Sequence, residues 1–334
     1  MKVSVIGAGS WGTALAQTLA LNGHNVGFWA RKASVVAAVN NEHRNPRYLS
    51  DFALSENIVA TSSHADALRF AHAAVIVTPS SLLRGVAQAM AQVVDSDFPV
   101  IICSKGVEEG SGMLPVEIFE SEMGGLHRFA VLSGPNHAEE VIRKIPAATV
   151  IASSSQETAE FFQVLFASDT FRTYISDDVV GVELCAAFKN VIAIAVGLSY
   201  GLGYGDNTAA LLVTRGLAEM SRLVQACGGQ AITCMGLAGA GDLIATCMSE
   251  HSRNRRFGEM LSKGKNLDDF IEETHMVAEG AYACKTLKTL ADLHRVELPI
   301  TQVVRSVVWE GANIEAAAVE LADRPLTTEF WGME

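Results

Sequence analysis

Val3-Ser4-Val5-Ile6-Gly7-Ala8-Gly9-Ser10-Trp11-Gly12-Thr13-Ala14 decides the fold. A short β-type run feeds a GxGxxG loop, and a helix-forming stretch over 14–21 follows, stopping near Gly23. Gly7 permits a tight turn, Gly9 lets the backbone approach a pyrophosphate, and Gly12 allows close helix–strand packing. The helix start offers unpaired N–H groups and the positive end of its dipole to phosphate. GxGxxG alone is a weak signal. In this strand–turn–helix context it predicts dinucleotide binding rather than a plain glycine turn. A second strand is predicted over 25–30. Where an NAD-specific site carries an acidic residue for the ribose hydroxyls, this chain has Arg31-Lys32. A guanidinium there accommodates a 2′-phosphate, so the pattern predicts that NADPH is accepted and preferred over NADH. The competing reading is a pair of solvated surface cations.

Further strand-like runs occur over 73–77, 100–103, 129–132 and 147–151. They are apolar and β-branched without alternation, which predicts parallel strands covered on both faces. The first three end in Thr78-Pro79-Ser80, Ser104-Lys105-Gly106 and Ser133-Gly134-Pro135-Asn136. Ligands of open α/β sheets bind beyond the carboxyl ends of strands, which places Lys105 toward a substrate or cofactor. Past residue 178 the strand runs stop. Asp206-Asn207 read as N-caps of a helix through Gln225, and further helices follow. The expected fold is therefore α/β: an N-terminal Rossmann-type doubly wound sheet over 1–180, then an all-α domain over 181–334.

Lys189 lies in Leu184-Cys185-Ala186-Ala187-Phe188-Lys189-Asn190-Val191-Ile192, with no polar stripe to lean toward. Lysine is rarely buried without a reason, and burial brings its pKa down toward the range useful for proton transfer. A snorkelling lysine at the edge of a core helix is the plainer alternative. Downstream, Gly236-Leu237-Ala238-Gly239-Ala240-Gly241-Asp242 is dense enough in glycine to imply close backbone approach. Asp242 is either a helix cap or a functional carboxylate. Ser252-Arg253-Asn254-Arg255-Arg256 is a local basic cluster in a 334-residue chain of net charge −12. An anionic substrate would need such a site, because the overall field repels it, and arginine holds phosphate bidentately.

The same net charge argues against nucleic acid and anionic lipid as partners. The longest apolar stretch, from Val191, reaches glycine and tyrosine within a few residues, so no span of the ~20 residues a bilayer needs is expected. Six cysteines without a CxxC pair predict reduced thiols and a cytoplasmic setting. No residue is assigned to a metal. The helical second domain is of a kind that supports a homodimer, though no motif specifies one.

In order along the chain, these motifs resemble the bacterial type of NAD(P)-dependent glycerol-3-phosphate dehydrogenase. Ala187-Phe188-Lys189-Asn190, Gly205-Asp206-Asn207, Gly239-Ala240-Gly241-Asp242-Leu243 and Glu279-Gly280 add to those above. The resemblance implies interconversion of dihydroxyacetone phosphate and sn-glycerol 3-phosphate with NADP or NAD, feeding phospholipid synthesis. It implies that Lys189 is the general acid/base. It assigns substrate contacts to Lys105, Gly134, Asn136, Asn190, Asp242, Thr246, Ser252, Arg253 and Asn254. Cofactor contacts fall to Gly7, Gly9, Ser10, Trp11, Gly12, Arg31, Lys32, Lys105, Ala138, Arg253, Val277 and Glu279. Two positions depart from the family pattern: Ala186 stands where glycine is common, and Asn136 where a small hydroxyl residue is common. The nearest rival is a β-hydroxyacid or ketopantoate-type reductase, and a redox-sensing module that binds NAD(P) without catalysis is a more distant one.

Overall fold

In the computed structural model, which describes residues 1–123, 128–323, 328, 329 and 332, β1 (Lys2–Ile6) is buried at every position after the first. β2 (Asn25–Trp29), β3 (Ile58–Thr61), β4 (Ala74–Ile76), β5 (Val100–Ile102), β6 (Phe129–Ser133), β7 (Ala147–Ala152) and β8 (Phe171–Ser176) join it in one sheet, ordered β3-β2-β1-β4-β5-β6-β7-β8. β1 pairs in parallel with β2 and β4, with Val5 opposite both Phe28 and Val75. The strand order reverses between those two neighbours, and the GxGxxG loop leaves β1 at that point, where open α/β sheets bind ligands.

β7 runs antiparallel to β6, with Leu132 opposite Ile151. An apolar run without alternation reports burial on both faces and carries no sign of direction. β3 and β8 were not foreseen. β8 alternates buried and exposed residues at its start, and β3 is only four residues long. Helix Ser10–Leu21 covers the sheet with Leu15 and Leu19, which pack in one core with Val3, Val5, Phe28, Phe162 and Phe166.

The chain divides into two compact units. One comprises Met1–Lys105 and Met113–Val179; the other comprises Gly106–Gly112 and Val180–Glu334. The second is helical among the described residues. Its axis is helix Val179–Gly201, in which every residue over 181–199 is buried. This helix has 23 residues and a mean hydropathy of 1.9 in its most apolar window, so by length and composition it is long enough to cross a membrane. That corrects the expectation that no segment approaches such a span: the apolar run continues N-terminally through Lys189. Of that window 89% is buried, as in a core helix. Helix Arg253–Leu261 meets it backbone to backbone, since a Cβ on Gly197 would lie 2.0 Å from the Arg255 carbonyl oxygen. Helix Asp206–Ala226 has Gly205 as its N-cap, and Asp206 is its first helical residue instead of the expected cap. The Asp206 carboxylate accepts from the Tyr200 hydroxyl at 3.2 Å.

Candidate active site

In the first unit the glycine loop is shaped for a phosphate. Gly7 has φ +127°, and a Cβ on Gly12 would lie 1.8 Å from the Gly7 carbonyl oxygen. A Cβ on Gly9, by contrast, would meet nothing within 4 Å. That open space beside the loop, at the start of helix Ser10–Leu21, fits a pyrophosphate. The Thr13 hydroxyl donates to the Gly9 carbonyl at 2.8 Å. Trp11 packs edge to face on Phe171, with centroids 6.4 Å apart. Arg31 and Lys32 are exposed just beyond β2, and Lys32 is the N-cap of helix Ala33–Glu42.

A residue that the sequence reading missed holds this loop from behind. Asn45 is fully buried. Its Nδ2 donates to the Ala8 carbonyl at 3.1 Å and to the Thr13 Oγ1 at 2.8 Å, while its Oδ1 accepts from the Arg47 N–H. The only signal was the dipeptide Asn45-Pro46, which marks a turn and says nothing of a partner.

At the strand ends, the Ser104 hydroxyl donates to the Thr78 carbonyl at 2.6 Å, tying together the loops after β5 and β4. Lys105 follows, half-buried. Gly134 sits against β7, where a Cβ would lie 2.9 Å from the Ala148 carbonyl oxygen. Asn136 donates through Nδ2 to that same oxygen at 2.9 Å, and its Oδ1 is buried without a partner. The departure from a small hydroxyl thus gives this position an anchor on the neighbouring strand. Ala138 is buried at the start of helix Ala138–Val141.

In the second unit Lys189 is buried, 7% exposed. Its Nζ donates to Asp242 Oδ1 at 2.5 Å and to Thr246 Oγ1 at 2.9 Å. Asp242, 3% exposed, opens helix Asp242–Met248 immediately after a π-helical turn over Leu237–Gly241. Four-residue spacing sets Thr246 above Asp242 on one helix face. The Thr246 hydroxyl donates back to the Asp242 carbonyl at 2.6 Å, so its lone pair faces the lysine. Burial disfavours the ammonium and the adjacent carboxylate favours it, in a site shielded from water. Cys247 beside them is no nucleophile, because burial pushes its thiol up to about 12.

Asn190 accepts at Oδ1 from Asn254 Nδ2 at 2.9 Å, and Asn254 Oδ1 accepts from the Gly280 N–H at 2.9 Å. Ser252 caps helix Arg253–Leu261, its hydroxyl accepting from the Arg255 N–H. The arginine cluster is divided in its work. Arg255 holds Glu259 at 2.9 Å and the Met248 carbonyl at 2.7 Å, and lies over the Tyr200 ring. Arg253 is exposed at the first position of the helix, with no protein partner among the described residues. A guanidinium and a helix N-terminus there suit one dianionic group. Val277 is exposed, and Glu279 begins helix Glu279–His294. No cluster of three metal-ligating side chains occurs among the described residues.

A nucleotide-binding loop on a Rossmann-type sheet, followed by a helical unit with a buried lysine–carboxylate pair, defines a dinucleotide-dependent oxidoreductase of the two-unit kind. The sequence matches the N-terminal part of the NAD-dependent glycerol-3-phosphate dehydrogenase family over residues 2–159 and its C-terminal part over 178–319. Relatives named glycerol-3-phosphate dehydrogenase (NAD(P)+) include that of Chlorobium luteolum, 42% identical over 97% of this chain and 98% of its own. That of Enterococcus faecalis is 43% identical over 98% of this chain and 97% of its own. The crystal structure of glycerol-3-phosphate dehydrogenase from Coxiella burnetii superimposes with a TM-score of 0.93 at 37% identity, covering 97% of this chain and 99% of that one. The chain belongs to the NAD-dependent glycerol-3-phosphate dehydrogenase family. A ketopantoate reductase from Ralstonia eutropha shares the fold alone, with a TM-score of 0.62 at 18% identity.

Proposed function

We propose that this chain interconverts dihydroxyacetone phosphate and sn-glycerol 3-phosphate with NADPH or NADH, supplying glycerol 3-phosphate for phospholipid synthesis from the cytoplasm. The observation that carries the reading is Lys189, buried in an apolar helix and held by Asp242 and Thr246. The bound nicotinamide supplies the hydride. Gly7, Gly9, Ser10 and Gly12 would hold its pyrophosphate, Trp11 and Ala138 would pack beside it, and Arg31 with Lys32 would meet a 2′-phosphate. Lys105, Val277 and Glu279 complete the cofactor set, and Lys105 with Gly134 and Asn136 also serves the substrate.

Lys189 delivers a proton to the substrate oxygen as charge builds there, and takes it back in the reverse direction. Asp242 and Thr246 hold the ammonium in place before that step. Asn190 adds a donor to the developing oxyanion. Ser252, Arg253 and Asn254 grip the phosphate, so binding energy remote from the reacting carbon positions the ketone. Arg253 at a helix N-terminus offers a dianionic phosphate both a cation and unpaired N–H groups, which favours a phosphorylated ketone over the carboxylate substrate of a ketopantoate-type reductase.

Oxidation of NADPH and of NADH is followed with dihydroxyacetone phosphate, unphosphorylated dihydroxyacetone and ketopantoate in parallel. Turnover confined to the phosphorylated ketone is expected; turnover with ketopantoate instead overturns the reading. Arg253→Ala is expected to raise KM for the phosphorylated ketone by about 10- to 100-fold with a smaller change in kcat, the worth of a hydrogen bond to a charged group. Arg31→Ala is expected to lower the preference for NADPH over NADH.

A further inference from the structure

We propose that the peptide N–H of Gly280 is a positioning group for this reaction, fixing two carboxamides in series so that Asn190 turns only N–H donors toward the substrate oxygen. The inference rests on the dehydrogenase reading and names the device that orients its oxyanion donor. A carboxamide has two nearly equivalent ends, one donating and one accepting, and packing alone does not choose between them. A peptide N–H has one polarity only. Gly280 N donates to Asn254 Oδ1 at 2.9 Å, which forces the Asn254 Nδ2 toward Asn190. That Nδ2 donates to Asn190 Oδ1 at 2.9 Å, which occupies the accepting end of Asn190. Both N–H groups of Asn190 Nδ2 are left without a protein acceptor among the described residues. Reversing Asn254 would set donor against donor at Gly280 and oxygen against oxygen at Asn190. Both asparagines are 7% exposed, so water does not repair the mismatch.

The local structure explains why this N–H is available. Gly280 is the second residue of helix Glu279–His294, whose N-cap, Ala278, has no side chain to cap it. First-turn N–H groups have no partner within their own helix. Asn254, from helix Arg253–Leu261, supplies the missing cap. The approach needs glycine, because a Cβ at this position would lie 2.4 Å from the Asn190 carbonyl oxygen and 2.8 Å from Ile194 Cδ1. Asn190 adjoins Lys189 in sequence, so the helix that carries the acid/base also carries the donor that this relay sets. An amide with only donors to offer serves an oxygen with only lone pairs, as a ketone or alkoxide has, and its value is greatest when that oxygen is anionic.

The test is a double-mutant cycle read in kcat. Asn254→Asp keeps the acceptor for Gly280 and loses the donor to Asn190, freeing Asn190 to turn. Its kcat is expected to fall by on the order of 10²-fold, the worth of one oxyanion donor. In an Asn190→Ala background the same change is expected to lower kcat by a much smaller factor, because the donor it would misorient is already gone. Additive losses in kcat would overturn the relay. A second readout needs neither turnover nor a folded variant: hydrogen exchange of ¹⁵N-labelled asparagine side chains in the wild-type chain. An Nδ2 proton on Asn254 that exchanges more slowly than either Nδ2 proton on Asn190 supports the relay, and the reverse order overturns it. Absence of turnover with dihydroxyacetone phosphate in the wild-type enzyme would sink the dehydrogenase reading on its own, with the exchange pattern still deciding the relay.

Discussion

Lys189 keeps two neighbours with different effects. Asp242 accepts from the lysine Nζ, which favours its charged form, while Thr246 donates its own proton to the Asp242 carbonyl and offers the lysine a lone pair. Lys189→Ala is expected to cost about 10²- to 10⁴-fold in kcat, the contribution of a general acid. Thr246→Val keeps the shape and removes one acceptor for the ammonium, worth about 10-fold. Losing that acceptor lowers the lysine pKa. The protonated form that ketone reduction needs then disappears at lower pH, so the alkaline limb of the kcat–pH profile should move down. An unmoved limb would assign Thr246 to packing. The lysine itself was legible, because the apolar run over 184–196 in which it lies offers no polar face. Its partners came only through the family resemblance, which set Asp242 in support of the lysine and gave Thr246 to the substrate. They lie 53 and 57 positions away, and no local pattern announces a contact over that distance.

At the scale of elements, what could be read was each segment's own chemistry. The strand–loop–helix at the N-terminus and the burial of helix Val179–Gly201 follow from composition and spacing. The direction of β7 and the π-helical turn over Leu237–Gly241 depend on neighbours, although the glycine density did announce close approach there. Glu219 is another such case. It lies in helix Asp206–Ala226 yet caps helix Pro299–Glu310, accepting from the Ile300 and Thr301 N–H groups and the Thr301 hydroxyl. Burial pushes its carboxyl up to about 7 against those hydrogen bonds and the nearby Arg222. A folded-state value above the unfolded one means the carboxyl's contribution to stability is fully present below about pH 4.5 and is lost as pH rises through about 7. The wild-type chain should therefore lose stability relative to Glu219→Gln over that window, by on the order of 3 kcal/mol. Urea midpoints of both proteins between pH 4.5 and 8 measure this. A constant difference between them would mean that Glu219 stays ionised throughout.

At the scale of the whole molecule, the order of motifs identified the family before any contact was known, because each unit carries its own set of motifs. The first holds the nucleotide loop, and the second holds the lysine, the amides and the arginine. Legibility stopped at the groups that support these parts. Asn45 behind the loop and Gly280 behind Asn190 act through hydrogen bonds that composition does not encode. The division of labour predicts that two variants separate cleanly. Gly12→Ala puts a methyl 1.8 Å from the Gly7 carbonyl oxygen, so the loop must open and lose its grip on the pyrophosphate. Lys189→Ala leaves that loop untouched. At a cofactor concentration near 100 times Kd, binding stabilises the folded wild-type chain by about 2.7 kcal/mol. Thermal melts with and without NADPH should show that gain in the wild type and in Lys189→Ala, and should show it abolished in Gly12→Ala. A Lys189→Ala protein that no longer responds to NADPH would mean that the lysine is needed to bind the cofactor, and its kinetic loss would then say nothing about proton transfer.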